Sequence, residues 1–387
     1  MAVPLKYNLR SLLVRRISTA MTVGGIALVV AVFVIVMAMV AGLGSAITDT
    51  GTPDNLVVLR RGATTETYSA MSVAQFDALK FLPQIRRDVQ GNPMASPELP
   101  VQTLLERRGG GSDNVVFRGV LPVALAVHDQ VHLIAGRMFR PGLNEVIVGT
   151  GLVNRYKDCA LGATLGFGRG TWKVVGIFAA GGNSFESEVW GDMHNVQDEA
   201  RRGAYYACAR LKLIPGADVA MLTRRIADDP RINLQAQTES DYYKDEAVVA
   251  RQLRALMMVL ATIMAIGAVF GAMNTMYAAV AARTAEIGTL RALGFGPGSV
   301  MASFLLESLM LALAAGAIGV VLAMPINGFS TTFGNFVTFS TLAFSFRVTP
   351  TIVLEAIVFA ALMGLLGGWL PARQAMRLQV VDALRRV

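Results

Sequence analysis

Four stretches of the chain carry almost no charge over lengths that a soluble helix rarely sustains. Residues 17–48, between Arg16 and Asp49, contain no charged side chain, and neither does the stretch from Ala255 to Ala282. From Ser299 to Ala323 the only charge is Glu307, and from Pro350 to Leu370 it is Glu355. A bilayer core of about 30 Å takes about 20 apolar residues in helical form. The pattern therefore predicts four membrane-spanning helices, at 19–43, 255–278, 299–323 and 350–370. The first apolar run is longer than the roughly 7–15 residues of a signal-peptide core, which favours a retained span over a cleaved leader.

Residues 44–238 read differently. Short alternating runs at 56–59, 115–118, 146–148, 172–178 and 204–211 predict strands. Ser72 followed by Gln75 is a capping-box start for a helix through Leu79, and helical patterns recur at 151–157, 192–200 and 217–227. The triple glycine at 109–111 followed by Ser112 marks a turn. This mixture predicts an α+β domain. Thr238 and Asp241 then open another helix. No proline occurs from Glu239 to Ala282, and a polar stretch with Val248, Val249, Leu253 and Leu256 runs straight into the second span. One continuous helix of that extent would be roughly 65 Å long, more than twice the membrane core. Residues 239–254 are accordingly expected to form a stalk beyond the bilayer.

Charge fixes the expected orientation. The formal net charge is +8, with only 16% of residues charged and 53% hydrophobic. A basic excess can mean nucleic acid, so its location decides. Residues 1–18 hold Lys6, Arg10, Arg15 and Arg16; the loop 279–298 holds Arg283 and Arg291; the tail 371–387 holds Arg373, Arg377, Arg385 and Arg386. Only Glu286 and Asp382 oppose these ten, so the whole excess sits on three short flanks. By the positive-inside rule those flanks, and both termini, are expected in the cytoplasm, with 44–238 and the loop 324–349 outside. A nucleic-acid partner loses its support. Cys159 and Cys208 both fall in the outer segment, where a disulfide is permitted but not required.

Catalytic chemistry is not legible. No G-x-x-x-x-G-K-[ST] phosphate loop exists, and no Gly-Lys pair occurs in these residues. Gly166, Gly168 and Gly170 alternate in a way that suits a hairpin turn better than a dinucleotide loop. His128 and His132 have i,i+4 spacing without a visible third ligand, which reads as a surface pair, not a metal site; His194 stands alone. Glu307 inside a span is expected to be paired structurally rather than to relay protons. Gly267-x-x-x-Gly271 and Gly364-x-x-x-Gly368 can bring helix backbones together, within one bundle or between chains.

The run Arg283-Thr-Ala-Glu286-Ile287-Gly288-Thr-Leu290-Arg291-Ala-Leu293-Gly294, followed by Phe304-Leu-Leu-Glu307, resembles the loop of the MacB/FtsX-type ABC permeases. Leu370-Pro371-Ala372-Arg373 with Val381-Asp382-Ala383-Leu384-Arg385, and Asn8-Leu9-Arg10 before the first span, are similar to that family's two ends. Physically, Ile287, Leu290 and Leu293 recur every three residues as an apolar edge, flanked by Glu286 and Arg291 and ended at Gly294. The resemblance implies a coupling helix at 283–294 that seats in a separate cytoplasmic ATPase subunit. ATP and Mg would be bound by that partner, with no cofactor, metal or catalytic residue in this chain. It implies a second permease chain, identical or not, and allows a periplasmic adaptor. It further implies a multi-pass protein of the bacterial inner membrane that transmits motion for export or extraction of a drug, peptide, lipid or lipoprotein. An FtsX-like regulator of an extracytoplasmic hydrolase is the alternative, against which the roughly 190-residue outer domain weighs.

Overall fold

The computed structural model describes residues 16–335 and 340–378. Lys6, Arg10, Arg15, Asp382, Arg385 and Arg386, and the family-like stretches beginning at Asn8 and Val381, lie outside them. The chain separates into two compact units: one takes in residues up to 41, 251–329 and 346 onward, the other residues 42–250 and 330–345.

After helix α1 (Arg16–Thr48) the second unit begins with β1 (Asn55–Arg60), β2 (Met71–Ser72) and α2 (Val73–Lys80). Strands β3 (Ala95–Glu106), β4 (Ser112–Val120), β5 (His132–Gly136), β6 (Glu145–Gly149), β7 (Thr164–Phe167), β8 (Gly170–Ala179) and β9 (Glu188–Asp192) follow. Then come α3 (Met193–Glu199), β10 (Tyr205–Tyr206), β11 (Cys208–Lys212), α4 (Val219–Asp228), β12 (Leu234–Thr238) and α5 (Glu239–Glu246). One mixed sheet runs β12-β1-β11-β3-β4-β9-β6-β8-β5, with β7 also on β8. Pairs β4–β9 and β6–β8 are parallel. Alternation explains β8: Trp172, Val174, Gly176 and Phe178 point inward, with half-buried or exposed residues between them. Phe117 stacks on Phe167 at 4.2 Å and meets Trp172 edge-on at 5.1 Å. The capping box forms: Ser72 Oγ accepts from the Gln75 amide, and Gln75 Oε1 accepts from the Ser72 amide.

Three local expectations change. The helix expected at 151–157 is only the turn Thr150–Val153, because Tyr156 is drawn into the core and donates to Asp113 at 2.7 Å. The run 204–211 splits, since β10 pairs with β2 while β11 enters the main sheet between β1 and β3. The loop between the third and fourth apolar helices contains a hairpin, β13 (Ser330–Asn335) with β14 (Ser340–Ser345). It belongs to the α+β unit, where the Ala343 amide donates to Ser187 Oγ at 2.8 Å.

Among the described residues, the other unit is built on four helices long and apolar enough to cross a membrane: α1, α6 (Val248–Ala282), α8 (Pro297–Ala323) and α9 (Pro350–Arg377), with the short α7 (Thr284–Ala292) between α6 and α8. The helix expected from Glu239 runs to Ala282 as one stretch of 44 residues with a single turn residue in it. Ala247, with ψ near 2°, is a one-residue elbow between α5 and α6, although its amide still donates to Tyr243 O at 2.9 Å. Small residues bring α8 and α9 together. A Cβ on Gly364 would lie 2.4 Å from Ala312 Cβ, and one on Gly368 would lie 2.1 Å from Ser308 Oγ. Gly267 and Gly271 on α6 have nothing within 4 Å of an added Cβ. Of the two glycine motifs, one is therefore consumed inside the bundle and the other faces open space. Thr22 on α1 donates to Thr275 on α6 at 2.8 Å, and Phe33 stacks on Phe359 at 4.8 Å.

This contrast is testable. Gly364→Leu should destabilise the detergent-solubilised chain by about 1–3 kcal/mol through overpacking, while Gly271→Leu should leave unfolding of the monomer unchanged. Equal effects in thermal or denaturant unfolding would contradict the packing described.

Candidate functional site

The sharpest local construction in the bundle is the corner from Arg283 to Pro297. Helix α6 stops at Ala282, and Arg283 leaves helical geometry (φ −113°, ψ 17°) before α7 begins. Helix α7 closes as a Schellman motif around Gly294, whose φ is +92°. The Phe295 amide donates to Leu290 O at 3.2 Å and the Gly294 amide to Arg291 O at 3.1 Å. Pro297 then occupies the first turn of α8, where its missing N–H costs nothing.

Two arginines clamp α7. Arg283 Nη1 donates to Glu307 Oε2 on α8 at 2.8 Å and Nε to Glu286 Oε2 at 3.2 Å, with its guanidinium 5.3 Å from the Phe304 ring centre. Arg283 and Glu307 are both buried, so the carboxylate expected to be structurally paired is paired. Arg291 Nη1 donates to Leu378 O at 2.7 Å and Met376 O at 3.3 Å, closing the end of α9. Beneath α7, Ile287 packs with Met276, Val280, Val300, Phe304, Ala372 and Ala375.

The expected apolar edge is not a single outward face. Ile287 and Gly288 are buried, Leu290 is half-buried and Leu293 is 68% exposed. Positions three apart shift by roughly 60° around a helix, so Ile287 and Leu293 point roughly 120° apart. The outward face carries Ala285, Glu286, Thr289, Ala292 and Leu293. In the stalk segment, Val248 is exposed, and Val249 and Leu253 are half-buried.

The α+β unit holds a second constellation that sequence reading missed. Arg118 and Arg210, both buried, sit among Glu66, Glu98, Glu188 and Glu239, which are buried too. Arg118 donates to Glu66 at 2.7 Å, to Glu98 at 2.9 Å and to both oxygens of Glu188 at 2.7 Å. Arg210 donates to Glu66, to Glu239, to Glu98 at 3.0 Å and to the Tyr243 hydroxyl at 3.0 Å. Glu239 also accepts from Asn55 Nδ2 at 3.0 Å and from the Thr52 hydroxyl at 3.0 Å. The first residue of α5 is thereby fastened to the sheet. Burial alone would raise the Glu66 carboxyl, but the Arg118 and Arg210 charges outweigh it and hold it below 4.5.

His128 belongs to this cluster, with Nε2 2.6 Å from Glu98 Oε1. It is buried while His132 is exposed on β5, so the two are not the expected surface pair: the helical turn Ala124–Val127 ends before them. Cys159 and Cys208 are free and buried, which excludes the permitted disulfide. Burial pushes the Cys159 thiol up to about 12. Gly166 and Gly168 lie in the β7–β8 hairpin, as expected for a turn. Among the described residues, no three His, Cys, Asp or Glu side chains are grouped to hold a metal.

Arg210→Met should cost about 3–5 kcal/mol, because it leaves buried Glu239 without an arginine and Glu66 and Glu98 with one instead of two. The pH dependence has a definite sign. Glu66 has a folded-state pKa below its unfolded value, so its contribution is complete above about pH 4.5 and is lost as pH falls through the folded value. Acid unfolding of the wild type followed by circular dichroism, with a smaller acid sensitivity in the variant, checks both statements.

Comparisons with known proteins agree with both units. Residues 258–380 match the family described as FtsX-like permease C-terminal, and residues 19–229 the family described as MacB-like periplasmic core domain. The macrolide export ATP-binding/permease protein MacB of Chromobacterium violaceum is 38% identical over 150 residues, which is 38% of this chain and 22% of that protein. The pyoverdine export ATP-binding/permease protein PvdT of Pseudomonas entomophila is 30% identical over 243 residues, 58% of this chain and 35% of that one. The matches thus span 22% and 35% of those relatives' length. The crystal structure of the periplasmic region of MacB from Actinobacillus actinomycetemcomitans aligns over 51% of this chain and 94% of its own, at 11% identity and a TM-score of 0.39. With the periplasmic-core match covering more than half of its residues, the chain belongs to the MacB-like, FtsX-type family of ABC transporter permeases.

Proposed function

We propose that this permease receives ATP-driven motion at α7 from a separate ATPase subunit and delivers it, through the α5–α6 segment, to the α+β unit on the outer side of the bacterial inner membrane. The observation that carries this reading is the clamped corner. Arg283 ties α7 to α8 and Arg291 ties it to α9, so a push on the exposed face moves several helix ends together. The relatives' names join ATP binding to permease, which supports work together with an ATPase that binds ATP and Mg. The flank charges support cytoplasmic termini. The open glycine face of α6, with Ile263 and Phe270 exposed, supports a second permease chain. The names of the two relatives support a small-molecule export substrate, and a periplasmic adaptor is proposed as a further partner from the family resemblance alone.

Leu293→Asp tests the docking face without disturbing the core, because Leu293 is exposed and Ile287 is not. Assembly with the ATPase subunit, or the coupling of its hydrolysis to export, should fall at least about tenfold, the equivalent of about 1.4 kcal/mol, with unchanged stability of the permease. Unaltered assembly and export would move the docking role elsewhere. For topology, a cysteine replacing exposed Val89 should react with an impermeant thiol reagent in intact cells and one replacing Thr289 should not. The reverse pattern would invert the orientation.

A further inference from the structure

A small pocket of about 90 Å³ opens beside the buried ion cluster, entirely within the α+β unit. Its charged and titratable lining is Glu66 from the turn Glu66–Tyr68, Arg118 from β4, Glu188 from β9, and Tyr242, Tyr243 and Glu246 from α5. The residues lining it from α1, β3 and β14 are not titratable. Arg210 on β11 stands behind Tyr243, at 3.0 Å from its hydroxyl.

Glu246 differs from the other carboxylates of this cluster. The hydrogen bonds of Arg118 and Arg210 go to Glu66, Glu98, Glu188, Glu239 and Tyr243, and Glu246 receives none of them. Its partner is Tyr242, whose hydroxyl donates to Glu246 Oε1 at 2.8 Å. The same hydroxyl oxygen accepts the Glu66 amide at 3.3 Å. Ionised, Glu246 adds a fifth carboxylate charge to a cluster with two arginines. It is also the last residue of α5, directly before the Ala247 elbow.

We propose that Glu246 is a proton-operated latch on the α5–α6 elbow. Neutral, it rests in the pocket on Tyr242 and the elbow is stiff. Ionised, it leaves for water and the turn around Ala247 loosens. Burial first and the Glu66 charge second push its carboxyl up from 4.5 to about 7, against the Tyr242 bond and the two arginines. The folded-state pKa is raised, so the folded form holds the proton more tightly than the unfolded chain. The latch's contribution to stability falls as pH rises from about 4.5 to about 7 and is level above that. On the orientation proposed above, the proton comes from outside the membrane; the latch itself does not depend on that orientation.

Hydrogen exchange of amides 243–251 in the full chain, purified into lipid nanodiscs, tests the latch independently of topology and transport. After division by the intrinsic rate at each pH, protection should drop about tenfold between about pH 5 and about pH 9, with a midpoint near 7. Glu246→Gln should remain protected throughout. Tyr242→Phe, which removes the bond that holds the carboxyl in the pocket, should lower the protection seen below about pH 7. A flat wild-type profile, or the same step in Glu246→Gln, would overturn the proposal. Should Glu246→Gln not fold, wild-type protection below about pH 7 in Tyr242→Phe overturns it equally.

Discussion

A charge removed from water has to meet an opposite charge, and this requirement fixes both ends of the segment that joins the elements of this permease. At its start, Glu239 is buried and held by Arg210, Asn55 and Thr52. Just past its end, Arg283 is buried and held by Glu307 and Glu286. Breaking a buried pair by removing one partner costs about 3–5 kcal/mol, several times the value of an exposed one. Glu239 and Arg283 therefore each have fixed anchorage within their own unit, and Ala247 is the single turn residue between them. A segment anchored in this way is suited to carrying displacement.

Inside a bilayer the packing rules change, because lipid tails are as apolar as leucine and burial alone does not join helices. Association then relies on close backbone approach and on polar contacts such as Thr22–Thr275. Helices α8 and α9 meet this demand through Gly316, Gly364 and Gly368, each set against a small or polar neighbour. Helix α6 does not use its own glycines within the chain, and it presents Leu260, Ile263 and Phe270 outward. The bundle thus reads as a tight α8–α9 pair with α1 and α6 packed beside it and one α6 face left for lipid or a second chain.

Much of this was legible in the sequence because it is local. Uncharged length alone marks the four apolar helices, Ser72 with Gln75 marks a helix start, and alternation marks β8. The motif from Arg283 to Gly294 pointed to the family, and its turn chemistry at Gly294 is visible in one dimension. What stayed hidden is long-range or depends on helix phase. Glu66, Glu98, Arg118, Glu188, Arg210 and Glu239 are scattered over more than 170 positions, and only the sheet order brings them together. Ile287 and Leu293 look equivalent in a list of apolar residues, yet roughly 120° of helix separates them. The elbow at Ala247 has no proline or glycine to announce it. The hairpin at 330–345 is hidden because the residues it packs against, such as Ser187, lie more than 140 positions earlier.

The central claim is that the α5–α6 segment works as a stiff transmitter between the clamped corner and the α+β unit. Replacing Val249 and Ala250 by Gly-Pro would remove helical hydrogen bonding just beyond the elbow, at a local cost of about 3 kcal/mol or more, while leaving Glu239, Arg283 and α7 intact. The direct measurement is ATP hydrolysis and substrate export by the reconstituted permease–ATPase complex, with the break verified by spin-label distances along the helix. The account predicts an assembled complex that hydrolyses ATP and exports nothing. Export at the wild-type rate with the helix demonstrably broken would contradict it.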